Sequence, residues 1–445
     1  MVYMKFKMIK IVIGWMILGG VFASHIKAED LLQVLDIAFK NNYQYKSAVE
    51  QYNISYAYKG IAQAYLYPTV NIEADGGYTS NIKTYDNFPK SDYKGPSAGL
   101  TLSVSYPIYD AAYWAQYNKS KLEVERGAIK LDKDKNTLML QVVQYYLEVL
   151  SAMDDVEYIK LQKESLAEQM QQTSERVRVG QARVIDVEQI KSRYELSKAE
   201  EILYENNLKV KKEQLDQFLN YKVKSYKTLK DVIDNTQIQH YSLESWQQAA
   251  SSYNLDILYA KISVLLADED ILKEEKTFYP TVSLLGNYGV SRTRDPARST
   301  QANVREGFLG LSVKLNLYAG GLSVAQKQQY IAVKNSSYYN VNSLISDMQV
   351  LISQYYLNVY NGLSRIEALK QAEFSSKRFL EAAKKSYGVG LSTNTDVLIA
   401  NEAYFNDKRN LSQAKHAFLL SIVSLKSVVG NLKIQDIAEI SSYLE

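Results

Sequence analysis

The sequence predicts a mixed, mostly α-helical protein in which a strand hairpin followed by a long helical hairpin is written twice. Three observations support this prediction: an internal repeat, the placement of the prolines, and a change of hydrophobic period between segments. The chain has 445 residues, of which 46% are apolar and 23% charged, as is usual for folded proteins. It contains no cysteine, so disulfide frameworks and thiolate metal sites are excluded.

The internal repeat is visible in short matches that keep the same order. Residues 31–42 read LLQVLDIAFKNN, and residues 243–254 read LESWQQAASSYN at an offset of 212. Further matches are Tyr-Pro-Thr-Val at 67–70 and 279–282, Gln-Tyr-Tyr-Leu at 144–147 and 354–357, Val-Gly at 179–180 and 389–390, and Asp-Val at 186–187 and 396–397. The chain is therefore one unit of about 210 residues, duplicated, which is far too long a period for a solenoid.

The first 28 residues have the pattern of a secretory signal peptide. Lysines at 5, 7 and 10 precede an apolar run at 11–22, and Ala28 stands before Glu29. We expect a cut after Ala28. A cut after Ala23 and an uncleaved membrane anchor are the alternatives, although the run is short for a span of about 20 residues. Removing residues 1–28 leaves 48 basic against 49 acidic residues, so the charge does not indicate nucleic-acid binding.

The prolines separate the parts of the chain that can be helical from those that cannot. All six lie at positions 68, 89, 96, 107, 280 and 296. Because a proline inside a helix costs about 3 kcal/mol, the two long stretches without proline are free to be helical. The regions around the prolines are where we expect strands.

Alternation of apolar and polar residues predicts four strands, at 70–78, 100–108, 282–290 and 309–317. Period two over about ten residues is typical of a transmembrane β-barrel, although a half-buried soluble sheet gives the same pattern. The signal peptide favours the barrel, and so do tyrosines at the strand ends, which would suit a membrane interface: Tyr67, Tyr78, Tyr106, Tyr109, Tyr279, Tyr288 and Tyr318. The polar segments 81–96 and 291–307 are predicted to be outer loops.

After each strand pair, apolar residues recur at alternating intervals of four and three positions and form a stripe along a predicted helix. It runs from Leu138 to Val177, and most of it recurs 210 residues later. This a/d pattern indicates a coiled coil. A helix from about 110 to 179 would be roughly 100 Å long at 1.5 Å per residue. Gly180 and Gly390 can adopt the left-handed conformation that ends a helix.

These patterns divide the chain into five parts. After the signal peptide 1–28, the first repeat (29–220) holds a helix, strands at about 69–109, a long helix at about 110–179 and a return helix at about 185–220. A linker (221–242) precedes the second repeat (243–430), with strands at about 281–318 and helices at about 321–387 and 395–430; residues 431–445 end the chain. Four strands cannot close a barrel, which needs about eight or more, so we expect a cyclic oligomer of two, three or four copies.

Five features of the sequence occur together: EDLLQVL at 29–35, the duplicated Tyr-Pro-Thr-Val strand entries, YPIYD at 106–110, VGQARVIDV at 179–187 and VGLSTNTDV at 389–397. In this combination they resemble the TolC family of trimeric outer-membrane efflux channels. The resemblance implies a homotrimer with a twelve-stranded barrel in outer-membrane lipid, continued by a coiled-coil tunnel through the periplasm. It implies the exit duct of a tripartite efflux pump or type I secretion system. The implied partners are a periplasmic adaptor and an inner-membrane transporter of the resistance-nodulation-division or ABC kind.

The resemblance also assigns a docking role to the turns at the end of the helical hairpins. In the family these turns meet the hairpin tip of the adaptor. The matching residues in this sequence are Val179, Gly180 and Gln181 in the first repeat and Val389, Gly390, Leu391 and Ser392 in the second.

A periplasmic gate is the second site that the resemblance implies. Asp396 matches a ring of aspartates that narrows the tunnel, and Asp186 holds the equivalent place in the first repeat. Both are also expected to stabilise a helix N-terminus. Tyr387 matches a tyrosine that ties helices shut, with Asp186 as its expected acceptor. Ile399 stands where many relatives carry a second aspartate, so we expect a single acidic ring. Ser392 stands in place of the usual arginine, so we expect the gate to have one closing contact fewer than in those relatives.

No set of residues in the sequence indicates an enzyme or a cofactor. His240 and His416 have no recognisable companions, and residues 320–326 lack the Lys-Ser/Thr ending of a phosphate-binding loop. The acidic run at 267–275 is expected to be a solvated helix face rather than a metal cluster. The remaining alternative is a secreted structural coiled-coil or adhesin protein, which would be soluble without detergent.

Overall fold

A computed structural model describes residues 29–85, 88–230, 242–295 and 300–445 of the chain. The predicted signal peptide, with both possible cleavage sites, and His240 lie outside these residues. Among the described residues, no helix combines the length and the apolar composition that crossing a membrane requires.

The predicted unit of strand hairpin plus helical hairpin occurs twice, in the same order, which confirms the fold class. The first repeat contains α1 (Leu31–Asn41), α2 (Tyr43–Ala64), β1 (Thr69–Tyr85), β2 (Phe88–Tyr109), α3 (Ala111–Arg178) and α4 (Val184–Leu219). The second contains α5 (Leu243–Tyr253), α6 (Leu255–Lys276), β3 (Thr281–Asp295), β4 (Thr300–Lys314), α7 (Leu322–Gly388) and α8 (Asn394–Val429), and α9 (Ile434–Ser442) follows it.

The strands differ from the prediction in their length. They contain 17, 22, 15 and 15 residues, so most of the segments predicted as outer loops are strand. Backbone pairing continues into segments where apolar and polar residues no longer alternate, and the sequence pattern cannot reveal this. The fourth strand ends earlier than predicted, at Lys314.

The helices before the strands were only partly predicted. The sequence indicated one helix before the first strand pair and none before the second, whereas two precede each pair. The helix α2 buries only Ala62, so it carries no continuous apolar stripe from which it could be recognised.

The four strands form one antiparallel sheet in the order β1-β2-β3-β4. Within the described residues, β1 and β4 are edges with one neighbour each. The apolar side chains of one face are exposed, with Ile72 at 73% and Leu309 at 77%. Open edges on an apolar sheet are places where another strand can pair.

The main core lies around the middle of the long helices. Buried side chains from α1, α3, α4, α8 and α9 meet there, including Leu31, Val142, Tyr146, Leu215, Leu419 and Ile437. We call α1, residues 221–230, α5 and α9 the equatorial region. A second, smaller core of Leu380, Ala383, Val397 and Ala400 lies near the tips of α7 and α8.

Two equivalent asparagines join successive helices at the equator. Asn42 donates from Nδ2 to the carbonyl of Phe218 at the end of α4 (2.8 Å) and accepts at Oδ1 from the amide of Tyr45 (2.8 Å). Asn254 does the same at the end of α8, with distances of 2.6 Å to Val428 and 2.9 Å to Ile257. Each side chain therefore caps one helix and ties it to another.

We expect Asn254→Ala to lower the free energy of unfolding by about 1–3 kcal/mol. The substitution removes an N-cap, which typically contributes about 1 kcal/mol, and leaves the half-buried carbonyl of Val428 without its donor. Denaturant unfolding in detergent measures the change. Asn53→Ala is the matched control, because Asn53 is exposed on α2 and its side chain donates to Glu50 within the same helix. Equal effects of the two substitutions would contradict the joining role.

Candidate functional site

The turns between the long and return helices have the same geometry in both repeats. Gly180 and Gly390 have φ values of 76° and 81°, in the left-handed region where glycine avoids a steric penalty. The amide of Gln181 donates to the carbonyl of Arg176 (2.7 Å), and that of Leu391 to Ser386 (2.9 Å). The predicted role of the two glycines in ending the helices is confirmed.

The tips present apolar side chains that nothing in the described chain covers. Val389 is 72% exposed and Leu391 is 83% exposed, and Val179 is exposed at the equivalent tip. A Cβ added at either glycine would meet no atom within 4 Å. Apolar side chains grouped at one end of a molecule are typical of an interaction surface.

Asp186 and Asp396 both cap the return helices. The carboxylate of Asp186 accepts from the Arg183 amide (3.1 Å) and from its guanidinium Nη2 (2.8 Å), and the guanidinium bond holds the pKa of Asp186 below its usual value. Asp396 accepts hydrogen bonds from the backbone N–H and from the hydroxyl of Thr393, both at 2.7 Å. The hydrogen bond from the backbone N–H contributes most to lowering the pKa of Asp396 below its usual value. Asp186 is buried, whereas Asp396 remains partly exposed.

The predicted hydrogen bond from Tyr387 to Asp186 is wrong for this conformation. The Tyr387 hydroxyl is buried without a hydrogen-bond partner among the described residues. Arg183, three positions from Asp186, supplies charged donors, which form stronger hydrogen bonds than a neutral hydroxyl. Tyr387 contacts Arg176 instead: the guanidinium lies 4.7 Å from the ring centroid, and Nη1 donates to the Tyr387 carbonyl (2.7 Å).

A buried polar bridge near the tips was missed by the sequence analysis. Gln169 of α3 donates from Nε2 to Oδ1 of Asn394, the first residue of α8 (2.8 Å), and Asn394 donates from Nδ2 to the Asp186 carbonyl (3.0 Å). Gln169 is 6% exposed and Asn394 is 2% exposed. The bridge joins the two helical hairpins, and its partners are 225 residues apart, so no local pattern announces it.

A small cavity lies beside this bridge. Its volume is about 80 Å³, and Gln169, Thr173, Arg176, Lys384 and Tyr387 are among its lining residues. Three of these, Gln169, Thr173 and Tyr387, carry buried polar atoms that have no hydrogen-bond partner within the described part of the chain. The cavity has room for ordered water, which commonly satisfies such groups.

His416 has a companion that the sequence did not reveal. Its Nε2 lies 3.0 Å from Oδ2 of Asp154 on α3, and the hydroxyl of Ser412 donates to the same oxygen. Because both side chains contact one carboxylate oxygen and not each other, serine and histidine form no nucleophile–base pair.

The acidic run on α6 is a partly exposed helix face whose carboxylates form ion pairs with neighbouring helices. Asp268 pairs with Lys334, Asp270 with Lys119, and Glu275 with Lys327, each at 2.7 Å. These pairs connect α6 to α3 and α7. Across the described part of the chain, no group of three or more histidine, aspartate or glutamate residues could hold a metal ion.

Sequence comparison places this architecture in a known family. The profile described as "Outer membrane efflux protein" matches residues 34–221 and 246–431, one match for each repeat. The outer membrane protein TolC of Vibrio cholerae is 27% identical over 434 residues, covering 96% of each chain. The proteases secretion protein PrtF of Dickeya chrysanthemi is 22% identical, covering 94% of this chain and 92% of its own.

Solved structures share the fold. The CmeC outer membrane channel of Campylobacter jejuni superposes with a TM-score of 0.79 at 20% identity, covering 94% of this chain and 90% of its own. The outer membrane protein VceC of Vibrio cholerae superposes with a TM-score of 0.78 at 17% identity, covering 90% of this chain and 96% of its own. The profile match covers most of the chain. This protein therefore belongs to the outer membrane efflux protein family, and it is an outer-membrane exit duct for efflux or type I secretion and not an enzyme.

Proposed function

We propose that three copies of this chain close into one duct, with a twelve-stranded barrel in the outer membrane and a helical tunnel below it. The observation that carries this proposal is the sheet with two open edges, β1 and β4. Edge β4 of one copy pairs with edge β1 of the next, which leaves no edge exposed to lipid. The family resemblance favours three copies.

The helices support the same closure. Towards the tips they pack in the order α4-α3-α8-α7, and towards the sheet in the order α2-α3-α6-α7. The outer sides are thus α2 and α4 on one flank and α7 on the other. Apolar side chains remain exposed on both flanks, such as Leu203 on α4 and Val350 on α7. A head-to-tail contact between the two flanks closes a ring.

We expect the detergent-solubilised protein to have the mass of three chains. Native mass spectrometry or light scattering with detergent correction measures this directly. A folded, stable monomer would contradict the proposal. Full solubility without detergent would favour a secreted coiled-coil protein instead.

The tips are the proposed docking site for a periplasmic adaptor, through which the duct meets an inner-membrane transporter of the resistance-nodulation-division or ABC kind. The support is the exposed apolar surface around Val389 and Leu391, which points away from the sheet end of the long helix. The gate is proposed at the same end, around Asp396.

We expect Gly390→Trp to reduce adaptor cross-linking and export while trimers remain in the membrane. The bulky ring would occupy the surface on which the adaptor docks. Gly390→Ala is the matched control, because it imposes the same backbone strain at φ 81° without the bulk. The docking site would have to lie elsewhere if the tryptophan variant cross-linked and exported normally.

We expect Asp396→Asn to weaken block of the channel by multivalent cations severalfold. Three carboxylates around one axis attract cations, and asparagine removes the charge while keeping an acceptor for Thr393. Block in planar bilayers measures the effect. Asp436→Asn is the control: Asp436 accepts from the Lys433 amide at the start of α9 (2.7 Å), in the same capping position, but in the equatorial region. Undiminished block would leave Asp396 as a helix cap only.

A further inference from the structure

The cavity beside the buried bridge lies where the two helical hairpins meet near the tips. Five of its lining residues carry groups that form hydrogen bonds: Gln169, Thr173 and Arg176 on α3, and Lys384 and Tyr387 on α7. Gln169 is 6% exposed and Thr173 is fully buried. A molecule bound in this cavity would therefore contact both hairpins.

The orientation of Gln169 shows which kind of atom it leaves unpaired. Asn394 donates from Nδ2 to the Asp186 carbonyl, so its Oδ1 is the acceptor for Gln169 Nε2. The remaining atom of Gln169 is Oε1, which can only accept. The hydroxyls of Thr173 and Tyr387, also without a partner among the described residues, can donate. A ligand for this cavity must offer a donor as well as acceptors.

The charge around the cavity is positive. Arg176 donates from Nη1 to the Tyr387 carbonyl (2.7 Å), and Lys384 donates from Nζ to the Ser165 hydroxyl (3.0 Å). Neither cation pairs with a carboxylate in the part of the chain that the structure describes. Glu168, an exposed side chain, is the one carboxylate among the described lining residues. Water would satisfy the neutral groups, whereas an anion would also offset the excess of positive charge.

We propose that this cavity binds a small oxyanion that carries one hydrogen, with bicarbonate and hydrogen phosphate as its two sources. The hydroxyl of the anion donates to Gln169 Oε1, and its other oxygens accept from Thr173, Tyr387 and the two cations. The cavity of about 80 Å³ has the volume of two to three waters at about 30 Å³ each, which suits an anion of this size. Chloride carries no hydrogen, so measurements in potassium chloride leave the site without its ligand.

The bound anion would hold the two hairpins together. Separation of the hairpins would divide the lining residues between α3 and α7, so the anion stabilises only the joined arrangement. Amide protection at the junction then rises with the free anion concentration [L] by the factor 1 + [L]/Kd. The lining residues come from a single chain, so the site does not depend on the closure of three copies.

Hydrogen exchange of the full chain in detergent tests the site, read out as amide protection of residues 394–400 at the start of α8. At pH 8 and equal ionic strength, bicarbonate is compared with nitrate and hydrogen phosphate with sulfate, because each pair differs by one hydrogen. Thr173→Val removes a hydroxyl, and Lys384→Met removes a charge. Lys385→Met is the matched control, because Lys385 is exposed on the same turn but does not line the cavity. Protection of residues 138–150 reports whether each variant is folded.

For the wild type we expect protection to double at an anion concentration equal to Kd and to rise further above it, in the hydrogen-bearing anion of at least one pair. The anion that acts identifies the source. Thr173→Val and Lys384→Met should each need about tenfold more anion, as the loss of one charge-assisted hydrogen bond implies, whereas Lys385→Met should respond like the wild type.

Three results would overturn the proposal. The first is that no anion raises the protection of residues 394–400. The second is that nitrate and sulfate act as strongly as bicarbonate and hydrogen phosphate, because the hydrogen would then play no part. The third is a wild-type response in folded Thr173→Val or folded Lys384→Met. General effects of salt on exposed surface are the same in wild type and variants, so they do not imitate the expected difference.

Discussion

Gly430→Val is expected to destabilise the chain by about 3 kcal/mol or more and to abolish assembly in the membrane. Gly430 has a φ of 83°, where a residue with a Cβ costs about 1–2 kcal/mol. Its Cβ would also lie 2.1 Å from the carbonyl oxygen of Tyr253 and 3.1 Å from the Cα of Asn254. These are backbone atoms, so a rotamer change cannot relieve the clash, and overpacking adds about 1–3 kcal/mol.

The location of Gly430 explains the size of this effect. It ends α8 at the equator, next to Val428, whose carbonyl accepts from the side chain of Asn254. A shift of the backbone there separates α8 from α6 and opens the equatorial core. The amount of trimer in membranes and the denaturant midpoint of what remains measure the loss.

The first repeat provides the control. Asn220 holds the equivalent place with a φ of 48°, and its Nδ2 donates to the Tyr43 hydroxyl (2.9 Å). Asn220→Gly should change the midpoint little, because glycine adopts this conformation freely and only one exposed hydrogen bond is lost. The prediction would be contradicted if Gly430→Val had the yield and the denaturant midpoint of the wild type, because the backbone where α8 ends would then be able to move away from Tyr253.

Most of the architecture could be predicted because it is carried by local signals. The stripe from Leu138 to Val177 gave the coiled-coil face of α3, and the glycines at 180 and 390 marked the turns. The extension of the strands into the polar segments could not be predicted, because backbone pairing there leaves no trace in the alternation of side chains. The helix α2 was not predicted for a similar reason: it is largely exposed, so its sequence shows no apolar stripe.

The tip residues were placed by local sequence, whereas the contacts between the hairpins were not. The resemblance suggested Asp186 as the partner of Tyr387, but it did not account for Arg183, which this chain places three residues before Asp186. The bridge from Gln169 to Asn394 depends on two helices that meet only in the folded chain. A single sequence gives no information about such pairs.

The contacts between the hairpins near the tips are the basis of the last prediction. The bridge joins α3, α4 and α8 only while the two hairpins lie together at the tips. If the proposed duct opens by separating them, the closed state alone gains from these bonds. Each buried polar group left unpaired costs about 1–3 kcal/mol, and a trimer would contain three bridges.

We therefore expect Asn394→Ala to raise the conductance of the closed channel in planar bilayers, with Gln169→Ala acting in the same direction. The double variant should add less than the sum of the two, because both substitutions break the same hydrogen bond. Tyr387→Phe is the matched control: its hydroxyl has no partner in the described chain, so conductance should stay close to wild type. The opposite outcome would be a higher closed-state conductance in Tyr387→Phe and an unchanged conductance in Asn394→Ala. It would show that the tyrosine hydroxyl, and not the buried bridge, keeps the channel closed.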